Sequence, residues 1–167
     1  MVSNFANIVE QAKSFAIERH GDQRYGDNLP YEWHIGSVAS LAARLGYSDQ
    51  IQAAAWLHDT VEDTGTTLGE IEERFGNKIA VIVDGVTYTE SDKQAGVDKI
   101  QKAAQNVGSH VVKFCDASVN FSASTLHGAP GKMSQWYATV NRYGKFIARL
   151  QPELPTPKIV ERWLADN

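Results

Sequence analysis

The sequence contains a single cysteine and no long run of apolar residues. One cysteine, Cys115, excludes an internal disulfide and fits a reducing compartment, so we expect a cytoplasmic protein. No stretch approaches the roughly 20 apolar residues that span a bilayer. Residues 1–15 also lack the basic start and apolar centre of a signal peptide. These absences argue against a membrane partner.

Clustered positive charge is missing as well. The chain has 16 lysines and arginines against 20 aspartates and glutamates, a formal net charge of -4. Because binding to a phosphate backbone needs clustered Lys and Arg, we do not expect a nucleic-acid partner. A small phosphorylated substrate would need a local positive charge, which a bound metal ion can supply.

Apolar residues recur at helical spacing along almost the whole chain. Its 167 residues, 43% of them hydrophobic, suit a single domain over 1–167. We therefore predict an all-α protein, a single compact bundle of about eight to ten helices, with a motif core over about 20–122 and C-terminal helices over 132–165. The predicted elements include a first helix capped by Ser3 or Asn4, a helix from Ser48 to Gly65, a cap at Thr66 or Thr67, a buried helix rather than a strand over 77–87, and helices over 91–106, 109–122 and 132–150.

The stretch "QAAAWLHDTVEDTG", residues 52–65, concentrates ionisable groups inside an apolar helical pattern. His58, Asp59, Glu62 and Asp63 fall here, and no lysine or arginine occurs at positions 45–73. At helical spacing, residues three and four apart share a face, so His58, Asp59 and Glu62 are expected to lie together. Anionic groups without a basic neighbour repel one another, and a metal ion would resolve that repulsion.

Two other segments can complete a metal site. His34 lies at the edge of the apolar face of its predicted helix. Asp116 follows the apolar run "VVKFC", and a buried carboxylate needs a partner because an isolated one is strongly penalised. Asn120 comes four residues later on the same face and could orient that carboxylate. We expect the other histidines, His20, His110 and His127, at the surface.

These motifs resemble the HD-domain metal phosphohydrolases. The segments "PYEWHIGSVA", "AAWLHDTVEDTGTTLGEIEERFG", "VIVDGVT" and "VVKFCDASVN" are similar to the hydrolase domain of RelA/SpoT proteins and to small alarmone hydrolases of the metazoan SpoT homologue type. The resemblance implies an HD-type helical fold that binds a small nucleotide. It also implies hydrolysis of the 3′-pyrophosphate of guanosine tetra- or pentaphosphate to GDP or GTP plus pyrophosphate.

The resemblance assigns roles position by position. It implies one divalent ion, with Mn²⁺ favoured, and a Glu-Asp pair that positions and activates water. It also implies an arginine packed on the purine and further contacts to the nucleotide. The implied metal ligands are His34, His58, Asp59 and Asp116; the catalytic pair is Glu62 and Asp63; the substrate-binding residues are Arg24, Tyr25, Asn120 and Tyr143.

Three positions depart from the family pattern. Tyr25 stands where a lysine is usual, Ala117 replaces a basic residue, and Ile35 replaces a proline. The metal and water-activating positions are kept, while positive charge that would hold phosphates is reduced. Two alternatives therefore stay open. One is a phosphohydrolase for another phosphorylated nucleotide, such as a 3′-phosphorylated adenosine alarmone or NADPH. The other is a non-catalytic nucleotide sensor.

Overall fold

A computed structural model describes residues 7–26, 28–126 and 133–166. Within these ranges the chain is almost entirely helical, which confirms the all-α prediction. No helix among the described residues is both long enough and apolar enough to cross a membrane. The helices are α1 Ile8–His20, α2 Tyr31–Arg44, α3 Asp49–Leu57, α4 Thr60–Asp63, α5 Leu68–Phe75, α6 Asn77–Val86, α7 Glu90–Gln94, α8 Lys99–Ala104, α9 Val107–Leu126, α10 Met133–Leu150 and α11 Pro157–Asp166.

A small hairpin connects α1 to α2. Its strands, β1 Arg24–Tyr25 and β2 Leu29–Pro30, pair antiparallel with Arg24 opposite Pro30 and Tyr25 opposite Leu29. No strand was predicted for these residues. The hairpin matters because it delivers Tyr25 toward the first turn of α2.

The helix starts follow side-chain caps. Asn7 caps α1 by accepting a hydrogen bond from the Val9 N–H; the caps predicted from the sequence, Ser3 and Asn4, lie outside the described residues. Thr67 accepts from the Glu70 N–H and caps α5, which selects one of the two predicted threonines.

Of two predicted helices in the middle of the chain, one forms and the other is divided. Residues 77–87 were open to a strand but form α6, whose buried residues recur at helical spacing. The single helix predicted over 91–106 is wrong: α7 and α8 are separated by a turn in which Gly96 has a φ of 67°. A left-handed backbone there favours glycine and ends the helix, and Asp98 then caps α8 with hydrogen bonds to two backbone N–H groups.

The helix predicted from Ser48 to Gly65 is also interrupted. It breaks at His58 and Asp59, which form a turn between α3 and α4. His58 Nδ1 lies 2.7 Å from the Ala55 carbonyl oxygen, and Thr60 Oγ1 donates to the Leu57 carbonyl at 2.7 Å. Side chains thus bond the last carbonyls of α3 and compete with the helical ladder. The break places the His-Asp pair at a corner rather than along one helix face.

Helix α3 lies at the centre of the core. Its alanines are fully buried and it packs against α1, α2, α6 and α9. Close approach also depends on glycine: a Cβ on Gly36 of α2 would lie 2.9 Å from the Trp56 ring. These contacts bring α2, the end of α3 and α9 together at one place.

The expectation that the remaining histidines are exposed was wrong for two of them. His20 is 6% exposed and His110 is 5% exposed. His110 Nε2 lies 2.9 Å from the Leu150 carbonyl oxygen and so connects α9 to the end of α10. His127 lies outside the described residues.

Candidate metal centre

Four side chains from three parts of the chain converge on one point. His34 comes from the first turn of α2, His58 and Asp59 from the corner between α3 and α4, and Asp116 from the middle of α9. His34 Nε2 lies 3.4 Å from both Asp59 Oδ2 and Asp116 Oδ1. His58 Nε2 lies 3.0 Å from Asp59 Oδ2 and 3.8 Å from Asp116 Oδ1. The structure thus brings all four predicted ligands together.

The imidazoles are oriented for ligation. His58 Nδ1 faces the Ala55 carbonyl, which can only accept, so this nitrogen carries the hydrogen and donates. When His58 is neutral, its Nε2 lone pair points toward the two carboxylates; this buried nitrogen lies 3.0 Å from Asp59 Oδ2 but makes no well-aligned hydrogen bond among the described residues. Metal-binding histidines commonly use their second nitrogen in this way.

Without a bound metal ion, protons on His34 and His58 offset the negative charge of the two carboxylates. Burial alone would lower the pKa of His34, but contacts with the Asp116 and Asp59 carboxylates raise it to about 9. Burial also opposes protonation of His58, and the Asp59 charge overrides it and raises the pKa. The pKa of Asp59 is correspondingly well below its usual value: burial opposes ionisation, but the charge of His58 outweighs it. A divalent ion would take over the role of these protons.

The donor set fits a divalent metal ion. Ligand atoms of His34, His58 and Asp59 all lie within 4.8 Å of one another, and Asp116 adds a second carboxylate. Two imidazole nitrogens and two carboxylate oxygens suit borderline divalent ions and leave coordination positions open. The observation that agrees best with a missing partner is that Nε2 of His58 makes no well-aligned hydrogen bond among the described residues, although it lies 3.0 Å from Asp59 Oδ2.

Lys113 is a part of the site that the sequence analysis missed. Its Nζ lies 2.7 Å from Asp116 Oδ2, and both side chains are largely buried. Burial works against ionisation of Asp116, but the Lys113 charge keeps its pKa far below the usual value. The signal in the sequence was a lysine three residues before the aspartate inside an apolar run.

Tyr31 was also missed, although it precedes His34 by three residues on α2. Its hydroxyl lies 2.7 Å from Asp59 Oδ2 and 2.8 Å from Asp63 Oδ2. Gln23 Nε2 donates to the same Asp63 oxygen at 3.2 Å. Tyr31 therefore joins a candidate metal ligand to a candidate catalytic carboxylate.

The two predicted catalytic residues, Glu62 and Asp63, have different surroundings. Asp63 is held by Tyr31 and Gln23, next to Asp59. Glu62 accepts a hydrogen bond from the Tyr88 N–H at 3.0 Å, and Lys99 Nζ lies 3.7 Å from its other oxygen. The contacts that join this pair to the four-residue cluster run through Asp63.

The four predicted substrate contacts differ in how they are placed. Arg24 is exposed on the hairpin, whereas Tyr25 is half-buried and donates to Asn120 Oδ1 at 2.7 Å. Burial raises the pKa of Tyr25, as does the nearby Tyr143, so its phenol stays protonated at neutral pH. Tyr143 is itself half-buried on α10, with the Arg142 guanidinium 4.8 Å from its ring.

Sequence comparisons match this chain to a known family. The family profile described as HD domain matches residues 12–114. A zebrafish protein named guanosine-3′,5′-bis(diphosphate) 3′-pyrophosphohydrolase MESH1 is 37% identical over 120 residues, covering 68% of this chain and 67% of the relative. A protein of Aquifex aeolicus named guanosine-3′,5′-bis(diphosphate) 3′-pyrophosphohydrolase is 46% identical over 82 residues. That match covers 49% of this chain but only 12% of the Aquifex protein.

A structural comparison supports the fold. A solved structure of a metazoan orthologue of SpoT, described as hydrolysing ppGpp and as having a role in starvation responses, superposes with a TM-score of 0.66. The match covers 89% of this chain and 97% of the other at 20% sequence identity, so it bears on the fold alone. With the profile covering most of the chain and the zebrafish relative aligned over two thirds of both proteins, this chain belongs to the HD-domain family.

Proposed function

We propose that this protein hydrolyses the 3′-pyrophosphate group of guanosine tetra- and pentaphosphate. The observation that carries the proposal is the convergence of two imidazoles and two carboxylates beside Asp63. The names of the zebrafish and Aquifex relatives support the choice of substrate. In the reaction, the oxygen of water bonds to phosphorus and the bond from phosphorus to the ribose 3′ oxygen breaks. The products are GDP or GTP, with a free 3′ hydroxyl, and pyrophosphate.

The ligands we propose are His34, His58, Asp59 and Asp116, and the ion we propose is Mn²⁺. When bound, such an ion lowers the pKa of a coordinated water from about 15.7 toward neutrality and offsets the charge of the phosphates. The chain's own contribution is to hold the donors rigidly. Lys113 binds one oxygen of Asp116 and the Ala55 carbonyl holds His58, so neither ligand is free to rotate.

Asp63 is our candidate for receiving the proton of the attacking water. Its carboxylate shares the Tyr31 hydroxyl with Asp59, so it lies next to a proposed ligand without needing to be one. Glu62, held by the Tyr88 N–H, is proposed to assist by orienting the water. Positioned acid–base groups typically contribute about 100- to 10,000-fold to the rate.

Arg24 and Tyr143 are proposed to contact the nucleotide. Arg24 is exposed on the hairpin, and its flat guanidinium can stack on a purine while still donating hydrogen bonds. The half-buried Tyr143 has its pKa raised by burial and by the Asp116 carboxylate, so its hydroxyl stays neutral and can donate a hydrogen bond to a nucleotide. We propose neither a nucleic-acid nor a membrane partner. A cytoplasmic location is proposed because a reducing compartment suits the buried thiol of Cys115.

A second candidate function keeps the chemistry and changes the nucleotide. Tyr25 is neutral and packs against Trp33, with ring centroids 5.4 Å apart, where a cation would have bound phosphate. An adenosine alarmone or NADPH is therefore the alternative substrate. A non-catalytic sensor is disfavoured because the four ligands and Asp63 are all present and assembled.

The decisive experiment is a nucleotide panel with the Mn²⁺-loaded protein and with His58→Ala. We expect guanosine tetraphosphate to give GDP and pyrophosphate in wild type, and no turnover in His58→Ala. Faster cleavage of an adenine nucleotide would transfer the assignment to the second candidate. If Mn²⁺ binds and no nucleotide in the panel is cleaved, the hydrolase proposal is wrong.

A further inference from the structure

Tyr25 makes contacts with three residues around the proposed metal centre. Its ring is parallel to the His34 imidazole, with an interplanar angle of 1° and centroids 4.6 Å apart. Its hydroxyl donates to Asn120 Oδ1 at 2.7 Å, and its ring also lies beside Trp33. Tyr25 therefore reaches from the hairpin to both α2 and α9.

Asn120 in turn donates hydrogen bonds to Asp116. Its Nδ2 lies 2.5 Å from Asp116 Oδ1 and 3.1 Å from the Asp116 carbonyl oxygen. Both acceptors lack hydrogen, so this end of the amide must be the nitrogen and the oxygen must face the Tyr25 hydroxyl. The two N–H groups of Asn120 are thus already used within the protein.

The ring of His34 needs an orienting contact. A metal-binding histidine usually donates its second N–H to an oxygen, which determines the orientation of the ring. His34 Nδ1 is buried without a hydrogen-bond partner among the described residues, in contrast to His58. The parallel face of Tyr25 is closer to this imidazole than the rings of Tyr31 and His58, whose centroids lie 5.6 and 5.3 Å away.

We infer that Tyr25 is a positioning residue for the metal centre: its ring orients His34, and its hydroxyl orients Asp116 through Asn120. Tyr25 and Asn120 then act on the ligands first and on the nucleotide only indirectly. The inference rests on the metal centre in the proposed function and assigns this pair a role different from the substrate contact that the family resemblance implies.

The test is Mn²⁺ binding to metal-free protein, measured by calorimetry. Tyr25→Phe keeps the ring and should weaken binding by about 2- to 10-fold, the effect of one neutral hydrogen bond. Tyr25→Leu removes ring and hydroxyl and should weaken it by about 10- to 100-fold, as loss of outer contacts to metal ligands does. Tyr137→Phe, an exposed tyrosine on α10, is the matched control and should bind as wild type does.

A double-mutant cycle tests whether the Tyr25 hydroxyl acts on Asp116 through Asn120. Because the hydroxyl acts through Asn120, Tyr25→Phe combined with Asn120→Ala should bind no more weakly than Asn120→Ala alone. The visible absorption of Co²⁺-loaded protein gives a second readout, since it reports ligand geometry. It should change in Tyr25→Leu and stay unchanged in Tyr137→Phe. The cycle and Tyr25→Phe remain informative should Tyr25→Leu fail to fold.

Two results would overturn the inference, and they are distinguishable. If His58→Ala loses Mn²⁺ while both Tyr25 variants bind it normally and only raise KM for the nucleotide, Tyr25 is a substrate contact. If His58→Ala binds Mn²⁺ as tightly as wild type, the proposed metal centre is misplaced and the positioning role falls with it.

Discussion

The ammonium group of Lys113 lies 2.7 Å from Oδ2 of Asp116, within a buried part of α9. Burial alone would lower the pKa of Lys113, but the Asp116 charge raises it, so the pair stays ionised. Lys113 thereby neutralises one oxygen of Asp116 and leaves Oδ1 facing the imidazoles. The positive charge of Lys113 is thus directed at a proposed metal ligand rather than at a phosphate.

Lys113→Met should destabilise the metal-free protein by about 3–5 kcal/mol, because it removes the ammonium partner of a buried carboxylate oxygen. Mn²⁺ should restore more stability to this variant than to wild type, since the ion supplies the missing charge. Urea unfolding with and without Mn²⁺ measures both effects. Lys158→Met, at an exposed position on α11, is the control. Equal stability of Lys113→Met and wild type without metal would contradict the prediction.

Tyr31→Phe should lower kcat by about 10- to 100-fold, the range expected when a contact behind metal ligands is lost. The single hydrogen of the hydroxyl is shared between Asp59 and Asp63, whose Oδ2 atoms lie 2.7 and 2.8 Å away, and the ring remains in place in the variant. Steady-state kinetics against Tyr137→Phe measures the effect. An unchanged kcat would mean that the Asp63 orientation does not depend on Tyr31.

Asp63→Asn should keep Mn²⁺ and nucleotide binding while turnover falls by at least about 100-fold, the lower range for acid–base catalysis. Glu62→Gln should also keep metal binding but lower turnover less, because its carboxylate is bound to the Tyr88 N–H. Metal titration and single-turnover kinetics on the two variants give the comparison. If turnover falls further in Glu62→Gln than in Asp63→Asn, Glu62 receives the proton and Asp63 orients the water.

Metal-free protein should lose stability as the pH rises from about 6.5 to about 9. The folded-state pKa of His34 is raised to about 9, above its usual 6.5, so the bound proton stabilises the folded protein most fully below pH 6.5. That stabilisation disappears as the proton leaves near pH 9. Urea unfolding in chelator across this range tests it, and His34→Gln should flatten the dependence. Constant stability of wild type would show that the carboxylates do not hold this proton.

Residue types within an apolar pattern predicted a metal site, and the family resemblance assigned its four candidate ligands. An imidazole or carboxylate within an apolar helical pattern is unusual enough to indicate a site, and His34, His58 and Asp116 were found in this way. The fold class followed from the same helical periodicity.

The local geometry could not be predicted because it depends on contacts between distant segments and on side chains bonding the backbone. The corner at His58 forms because His58 and Thr60 bond carbonyls of α3. Burial of His20 follows from stacking on Tyr31, with centroids 4.4 Å apart, and a lone histidine gives no sign of such a neighbour. Tyr25 was interpreted as a lost cation, because no spacing rule relates it to His34 or Asn120.

The proposed ligands lie on three segments that are far apart in the chain, so an ion held by them would act as a cross-link. Such an ion prefers the folded protein, because the unfolded chain no longer gathers the four donors in one place. At a free concentration 100 times its dissociation constant it would add about 2.7 kcal/mol to the free energy of unfolding. Proteases cleave opened chains, so the supply of free divalent metal in the cell would govern how long each molecule survives as well as how fast it works.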